Sequence, residues 1–304
     1  MSPVSGHTVL VGIDGTQDGR RALRYAVVEA RRRGDALRLL HVTHETMMVA
    51  PMMPYIPEPT VRDVASTMLE QAEGRAIGWG LDPTELSTVL SQAPRAAAFM
   101  ENLEDVSCIV LGTRGSRARR LLTGSTTTSV AAHSPVPVHC VAPSWDGDRD
   151  ELGRVVVGVD GSDITNDVLD GAFAEARCRG AHLEIVHAWE PAGEYDAAIT
   201  RRTLEQDWDQ AARSFLTKTI EEVAGPDPGV AWTLSLQFHR PVAALHDAAA
   251  AADLLIVGRR GRWGPFKLSL GSTTRTLLRT ATCPVMVTPV PRHPGEDAAG
   301  GGSR

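Results

Sequence analysis

The stretch Val9–Thr16 returns at Val155–Ser162, an offset of 146 residues, with Gly12, Asp14 and Gly15 matching Gly158, Asp160 and Gly161. The same offset joins Glu29–Arg31 to Glu175–Arg177, Gly34 to Gly180, His41 to His187, Gly112 to Gly258 and Gly115 to Gly261. It then becomes 147, joining Gly124 to Gly271 and Pro137 to Pro284. The first copy is therefore one residue short between Gly115 and Gly124. A period this long describes two whole domains, not a solenoid of small units. We place the first domain at 8–142, a linker at 143–153, the second domain at 154–290 and a Gly- and Pro-rich tail, expected to be disordered, at 291–304.

Within each copy strands and helices alternate. Thr8–Ile13 is a short Val/Leu/Ile-rich run ending at Asp-Gly, which reads as a buried strand. Thr16–Arg33 carries Leu23, Ala26, Val27 and Ala30 at helical spacing, with Gly34 as its stop. The pattern continues with strand Leu37–Val42, a proline-rich loop His44–Pro59, helix Val61–Trp79, strand Glu85–Ser91, helix Arg95–Leu103 and strand Cys108–Leu111. A helix from Ser125 to about Ala132 and a last strand, Val136–Val141, complete the copy. The second copy places strands near Val155–Val159, Leu183–Ala188, Val230–Gln237, Leu254–Val257 and Val285–Thr288. Such alternation implies right-handed crossovers, hence two tandem doubly wound α/β domains, each a five-stranded parallel sheet with helices on both faces. The two copies are expected to pack as a pseudo-twofold pair, with the last strands as candidate edges that meet across the axis.

Ligands in such folds sit at strand carboxyl ends, where the topology reverses. There the second copy runs from Val257 through Gly258, Arg259, Arg260 and Gly261 to Gly271, Ser272 and Thr273. The first has Gly112, Thr113, Arg114 and Gly115, then Gly124 and Ser125. Glycines allow close backbone approach, and a helix N-terminus adds partial positive charge, so the natural guest is phosphate. The net charge of −6 argues against general nucleic-acid or membrane attraction. The basic runs Arg114/Arg117/Arg119/Arg120 and Arg259/Arg260/Arg262/Lys267 oppose that sign and fall in these loops. A solvated face is the bland account of them; their coincidence with the glycines favours an anionic ligand.

Other classes find no support. Cys108, Cys140, Cys178 and Cys283 form no C-x-x-C, and three lie in or beside apolar strand-like runs. Met1–Thr8 has no signal-peptide pattern and no apolar run approaches the ~20 residues needed to span a bilayer, so a cytoplasmic protein is expected. Aromatics are only 5% of residues, so the core should be aliphatic. Met47, Met48, Met52 and Met53 are assigned no role.

The residues 157–162, the Val186–Ala188 run after the second strand, and Val257–Gly261 with Gly271–Thr273 before Cys283–Val285 resemble a universal stress protein domain. The whole chain resembles a tandem pair of them. Nucleotide-binding members carry G-x2-G-x9-G-[ST], matched in the second copy by Gly258, Gly261, Gly271 and Ser272; the first copy has eight residues where the pattern has nine. The resemblance implies an adenine-nucleotide alpha-hydrolase-like fold and ATP, with or without Mg2+, as ligand. Gly258, Gly261, Gly271 and Ser272, with Thr273 following, would cradle phosphate and ribose. Asp160, with Gly161 beside it, would accept from the adenine amino group, and Ala188 would line the base pocket. Arg259 could add charge. The matching first-copy positions are Asp14, Gly15, Val42, Gly112, Gly115, Gly124 and Ser125. Against this, Asp-Gly-Ser is also an ordinary turn and helix cap.

No residues supply catalytic chemistry. No Walker lysine, nucleophile elbow or H-E-x-x-H is present, and Pro83 spoils the G-x-G-x-x-G begun at Gly78. His41 and His187 end matched strands as satisfied rim residues, and His133 and His139 flank a proline-rich turn without an aspartate to complete a relay. The leading reading is an ATP-binding regulatory or stress-adaptation protein, with a homodimer compatible with it. A non-nucleotide interaction module, the tandem being a built-in pseudo-dimer, and a slow ATP hydrolase remain as alternatives.

Overall fold

The computed structural model describes residues 7–43, 58–113, 125–147, 150–162, 164–190, 205–260 and 270–289. The first half runs β1 (Thr8–Ile13), α1 (Gln17–Arg33), β2 (Ala36–Val42), α2 (Glu58–Gly78), β3 (Leu86–Ser91), α3 (Arg95–Met100), β4 (Val106–Gly112), α4 (Ser125–His133) and β5 (Val138–Val141). The second runs β6 (Arg154–Val159), α5 (Thr165–Arg179), β7 (His182–Ala188), α6 (Glu205–Ala224), β8 (Trp232–Gln237), α7 (Pro241–Ala249), β9 (Leu254–Gly258), α8 (Ser272–Thr280) and β10 (Val285–Thr288). Differences from expectation are local. Pro59 enters the first turn of α2, where its missing N–H is not needed. α3 stops at Met100, and Asn102 Nδ2 donates to the Ala98 carbonyl at 2.7 Å. β5 begins after Pro137, which has no N–H for a ladder. Residues 44–57 of the expected loop His44–Pro59, the methionines in it, the tail and Gly115, Gly124 and Gly261 lie outside the described residues.

The strand order is β3-β2-β1-β4-β5-β10-β9-β6-β7-β8 in one ten-stranded sheet. Pairing is parallel within each half, and β10 pairs antiparallel with β5, Met286 standing opposite His139. The last strands thus meet as expected, and become the centre of the sheet instead of its edges.

Side-chain alternation divides the core by face. On one face Leu10, Ile109, Val138, Val156, Leu255 and Val285 pack with Phe99, Val130, Leu245 and Leu277 from α3, α4, α7 and α8 as one core spanning both halves. On the other, Val9, Val11 and Leu37 pack under α1 and α2, and Val155, Val157 and Leu183 under α5 and α6, as two separate cores.

Charge fills the gap between those two cores. Glu29 and Arg33 of α1 meet Glu175 and Arg179 of α5, positions related by the 146-residue repeat. Arg179 Nη2 donates to Glu29 Oε1 at 2.7 Å and Arg33 pairs with Glu175, while each arginine also reaches the glutamate four residues before it. Arg32 adds a bond to Glu29 at 2.6 Å. Burial raises the Glu29 carboxyl, but Arg179, Arg32 and Arg33 outweigh it and hold it at about 2. His139, fully buried, lies at the same place. Arg179 donates to the Tyr25 hydroxyl at 3.2 Å, and that hydroxyl is hydrogen-bonded to His139 Nδ1 at 3.0 Å. Burial pushes His139 down to about 4, against the pull of Glu175 and Glu29, so the ring is neutral at pH 7.

The linker is fastened to both halves. Trp145 meets Tyr25 edge-on at 5.2 Å, Ser144 Oγ donates to the Thr282 carbonyl at 2.9 Å, and Leu152 N donates to Asp253 Oδ1 at 2.8 Å.

Candidate functional site

Each half reverses its winding beside its first strand, between β1 and β4 or between β6 and β9. At that point the expected residues come together from three neighbouring strand ends. Asp160 follows β6, Ala188 ends β7, and Gly258 and Arg259 end and follow β9. Gly271, Ser272 and Thr273 open α8 beside them.

The Asp-Gly turns are real turns. Ser162 N donates to Asp160 Oδ1 at 3.0 Å, and Thr16 N to Asp14 Oδ1 at 3.0 Å. Gly15 and Gly161 stand at φ 73° and 70°, a left-handed conformation that a side chain would strain. Thr16 also caps α1, its Oγ1 accepting from Gly19 N at 3.0 Å, whereas Ser162 makes no matching cap for α5. The turn account of these residues therefore holds, and one oxygen of each aspartate is engaged in it.

The first glycine of each loop is required by helix packing. A Cβ on Gly112 would lie 2.8 Å from the Asp18 carbonyl oxygen of α1. One on Gly258 would lie 2.8 Å from Ile164 Cδ1 and 3.1 Å from Val168 Cγ2 at the start of α5. Close approach is the reason for glycine here, but the neighbour is the protein's own helix.

The loops are closed at their bases in the same way. Thr274 Oγ1 donates to the Gly258 carbonyl at 2.8 Å, and Thr127 Oγ1 to the Gly112 carbonyl at 3.1 Å. Arg259 N donates to the Thr288 carbonyl at 3.1 Å, as Thr113 N does to the Val141 carbonyl at 3.0 Å. Gly271 N then closes the second loop onto the Arg259 carbonyl at 2.9 Å. The missing residue of the first copy falls between two ties that both halves share, at Thr113 and Thr127 or at Arg259 and Thr274.

Among the described residues no side chain caps the N-terminus of α8. Its N-cap is Gly271, which has no side chain to accept from the first amides, and its first turn carries no acidic residue. Ser272 is exposed and Thr273 half-buried. Amides in this state carry partial positive charge and suit an anion. Among the described residues no group of three or more His, Cys, Asp or Glu could hold a metal ion.

The place that the resemblance would give to a base differs between the halves. Val42 and Ala188 occupy matching places, both half-buried against the shared core. Nδ1–H of His41 donates to the Ile13 carbonyl at 2.7 Å and that of His187 to the Val159 carbonyl at 2.9 Å, so both are satisfied rim histidines as expected. Beside Val42 lies a cavity of about 410 Å3 lined by Thr43, Val61, Arg62, Leu90 and Gln92. Beside Ala188 stand aromatic rings. Trp208 of α6 stacks on His187 at 5.5 Å and on Trp189 at 5.4 Å, with Phe238 edge-on to both tryptophans. Sequence reasoning missed this cluster, whose members lie far apart in the chain.

The family model described as "Universal stress protein family" matches residues 6–142 and again 151–289. A universal stress protein of Mycolicibacterium smegmatis is 28% identical over 285 residues, covering 92% of this chain and 96% of that protein. One from Mycobacterium tuberculosis is 27% identical over 314 residues, covering 95% of this chain and 97% of that protein. Among solved structures, a universal stress protein from Archaeoglobus fulgidus shares the fold, with a TM-score of 0.66 at 19% identity over 94% of this chain and 97% of that one.

Proposed function

The chain belongs to the universal stress protein family, and from that premise we propose that it is an ATP-binding regulatory protein. The supporting observation is the α8 N-terminus, uncapped, free of acidic residues and tied to the end of β9 beside Asp160 and Ala188. Phosphate would rest on the amides of Ser272 and Thr273, within the glycines at 258, 261 and 271, and the base would lie towards Asp160 and Ala188. A bound Mg2+ would take its oxygens from phosphate and water, as Mg2+ commonly does. Occupancy acts as a signal only if it favours one conformation over another, by fastening strand end, loop and helix to one ligand. The reading assigns no catalytic group, and it places the chain in the cytoplasm with its ATP.

The interaction-module reading draws on the fused β5–β10 junction and the shortened first loop. One substitution separates the two. Gly271→Asp fits the extended backbone of an N-cap (φ −58°, ψ 153°) and should raise or preserve Tm, because aspartate caps better than glycine and favours the helix dipole. The same carboxylate repels phosphate. Calorimetry should therefore find ATP affinity weakened about tenfold or more, the scale of one lost charge-assisted interaction, in a protein that is no less stable. Unchanged ATP affinity would move the nucleotide away from α8 and overturn this site, and no ATP binding by the nucleotide-stripped wild type would leave the interaction module.

A further inference from the structure

Two anchors align the halves around the base side. His41 and His187 make the same bond to the preceding strand. Gly15 lies under Met68 and Gly161 under Phe215, where an added Cβ would stand 2.7 Å and 3.6 Å away. Met68 and Phe215 therefore correspond, and seven residues before each stand Val61 and Trp208. The strand register pairs Val42 with Ser91 and Ala188 with Gln237, so Gln92 corresponds to Phe238 and Thr43 to Trp189. Three residues that line the open cavity of the first half are replaced in the second by three aromatic rings.

Trp208 is the central ring of that group. His187 and Trp189 share one face of the β7 end, being two residues apart, and the indole lies in near-parallel contact with both, at 21° and 24°. The ring lies on the α6 face of the β7 end, opposite the Ala188 side chain, and Phe215 of the same helix lies over Gly161 beside Asp160, so the stack borders the strand ends across which the base is to lie. An indole and a purine are both flat π-systems that stack on the same partners. We propose that the Trp208 side chain is a built-in occupant of the base side of the second site, which a nucleobase must displace to enter. This rests on the nucleotide reading of that site. The indole makes the second half selective: a ligand anchored by phosphate at α8 still has to compete with an aromatic ring for the stack. The half-exposed Trp189, with 38% of its surface open, is the face left to the incoming base.

The test uses the full chain and two probes, ATP and inorganic tripolyphosphate, which has no base. Trp208→Val installs the first-half residue and should tighten ATP binding about tenfold, the factor for a site whose competent form is about one-tenth populated. Tripolyphosphate affinity should not change. Trp208→Phe keeps a ring and should stay near wild type, which also guards against a valine variant that does not fold. With Trp263 of the phosphate loop replaced by phenylalanine (Trp263→Phe), ATP should alter tryptophan fluorescence and tripolyphosphate should not. Equal or weaker ATP binding by a folded Trp208→Val, or identical fluorescence responses to the two probes, overturns the inference while leaving a nucleotide site. If neither probe binds any of the three proteins, the nucleotide reading itself fails and the inference falls with it.

Discussion

At the pseudo-twofold junction the two halves use the same four charges but different neighbours. Glu29 and Arg33 face Glu175 and Arg179, whereas Tyr25 and His139 face Gly171 and Met286 at the equivalent places. A Cβ on Gly171 would meet Thr288 Cγ2 at 3.4 Å and Met286 Cε at 3.7 Å, so these two side chains stand where the absent tyrosine side chain would begin. The site repeats the lesson. The turn at Asp14 or Asp160, the close approach of Gly112 or Gly258 and the threonine tie at Thr127 or Thr274 are kept, while the end of the second strand borders a cavity in one half and an aromatic stack in the other. Backbone geometry constrains the frame, because a glycine or turn residue has few substitutes. Lining residues need only conserve volume or chemistry locally, and so they diverge.

The largest effect is expected at the shared charges. Removing one member of a buried ion-pair network strands its partners and costs about 3–5 kcal/mol. Glu29→Ala should approach the top of that range and Glu175→Ala the bottom, since three arginines, Arg32, Arg33 and Arg179, reach Glu29, whereas two, Arg33 and Arg179, reach Glu175 beside the neutral His139 ring at 3.9 Å. Urea unfolding compares them, and equal losses would mean that Arg32 adds nothing.

A second comparison breaks the symmetry deliberately. His139 titrates at about 4 in the folded chain against 6.5 ordinarily, so below pH 6.5 the unfolded chain takes up a proton that the native one refuses. Stability should fall as pH drops from 6.5 towards 4. Glu29, held at about 2 against 4.5, extends the loss towards pH 2. Denaturation at pH 7 and pH 5 should show His139→Gln losing less stability than wild type over that interval. An identical slope would place the acid sensitivity elsewhere.

The smallest expected difference concerns the loop glycines. Gly112→Ala sets a methyl against a backbone carbonyl, which cannot rotate away, so it should cost about 1–3 kcal/mol. Gly258→Ala meets the ends of Ile164 and Val168, which can adjust, and a backbone carbonyl, that of Arg260, only at 3.1 Å against 2.8 Å for Gly112, so it should cost less. The reverse order of melting temperatures would contradict this account of why glycine stands there.

The frame was legible in the sequence because it repeats. Strand ends, turn aspartates and glycines recur at fixed offsets, and the alternation of strands and helices leaves little choice of topology. The junction was not. Glu29 and Glu175 registered as repeat markers, but a charged residue on a helix ordinarily reads as solvated. Their burial shows only once α1 and α5 face each other. One signal was available: glutamate and arginine four residues apart, beside the apolar stripe of Leu23, Ala26 and Ala30, in both copies. His139 was passed over as the flank of a turn. Trp189, Trp208 and Phe238 gave no local pattern, because strand pairing and helix packing bring them together.

The most direct measurement is amide hydrogen exchange with and without ATP, read separately at Ser125–Thr127 and Ser272–Thr274. The account predicts that ATP slows exchange at the start of α8 more than at the start of α4, because only the second loop keeps the full spacing. Equal protection at both helix starts, or protection confined to α4, would contradict it.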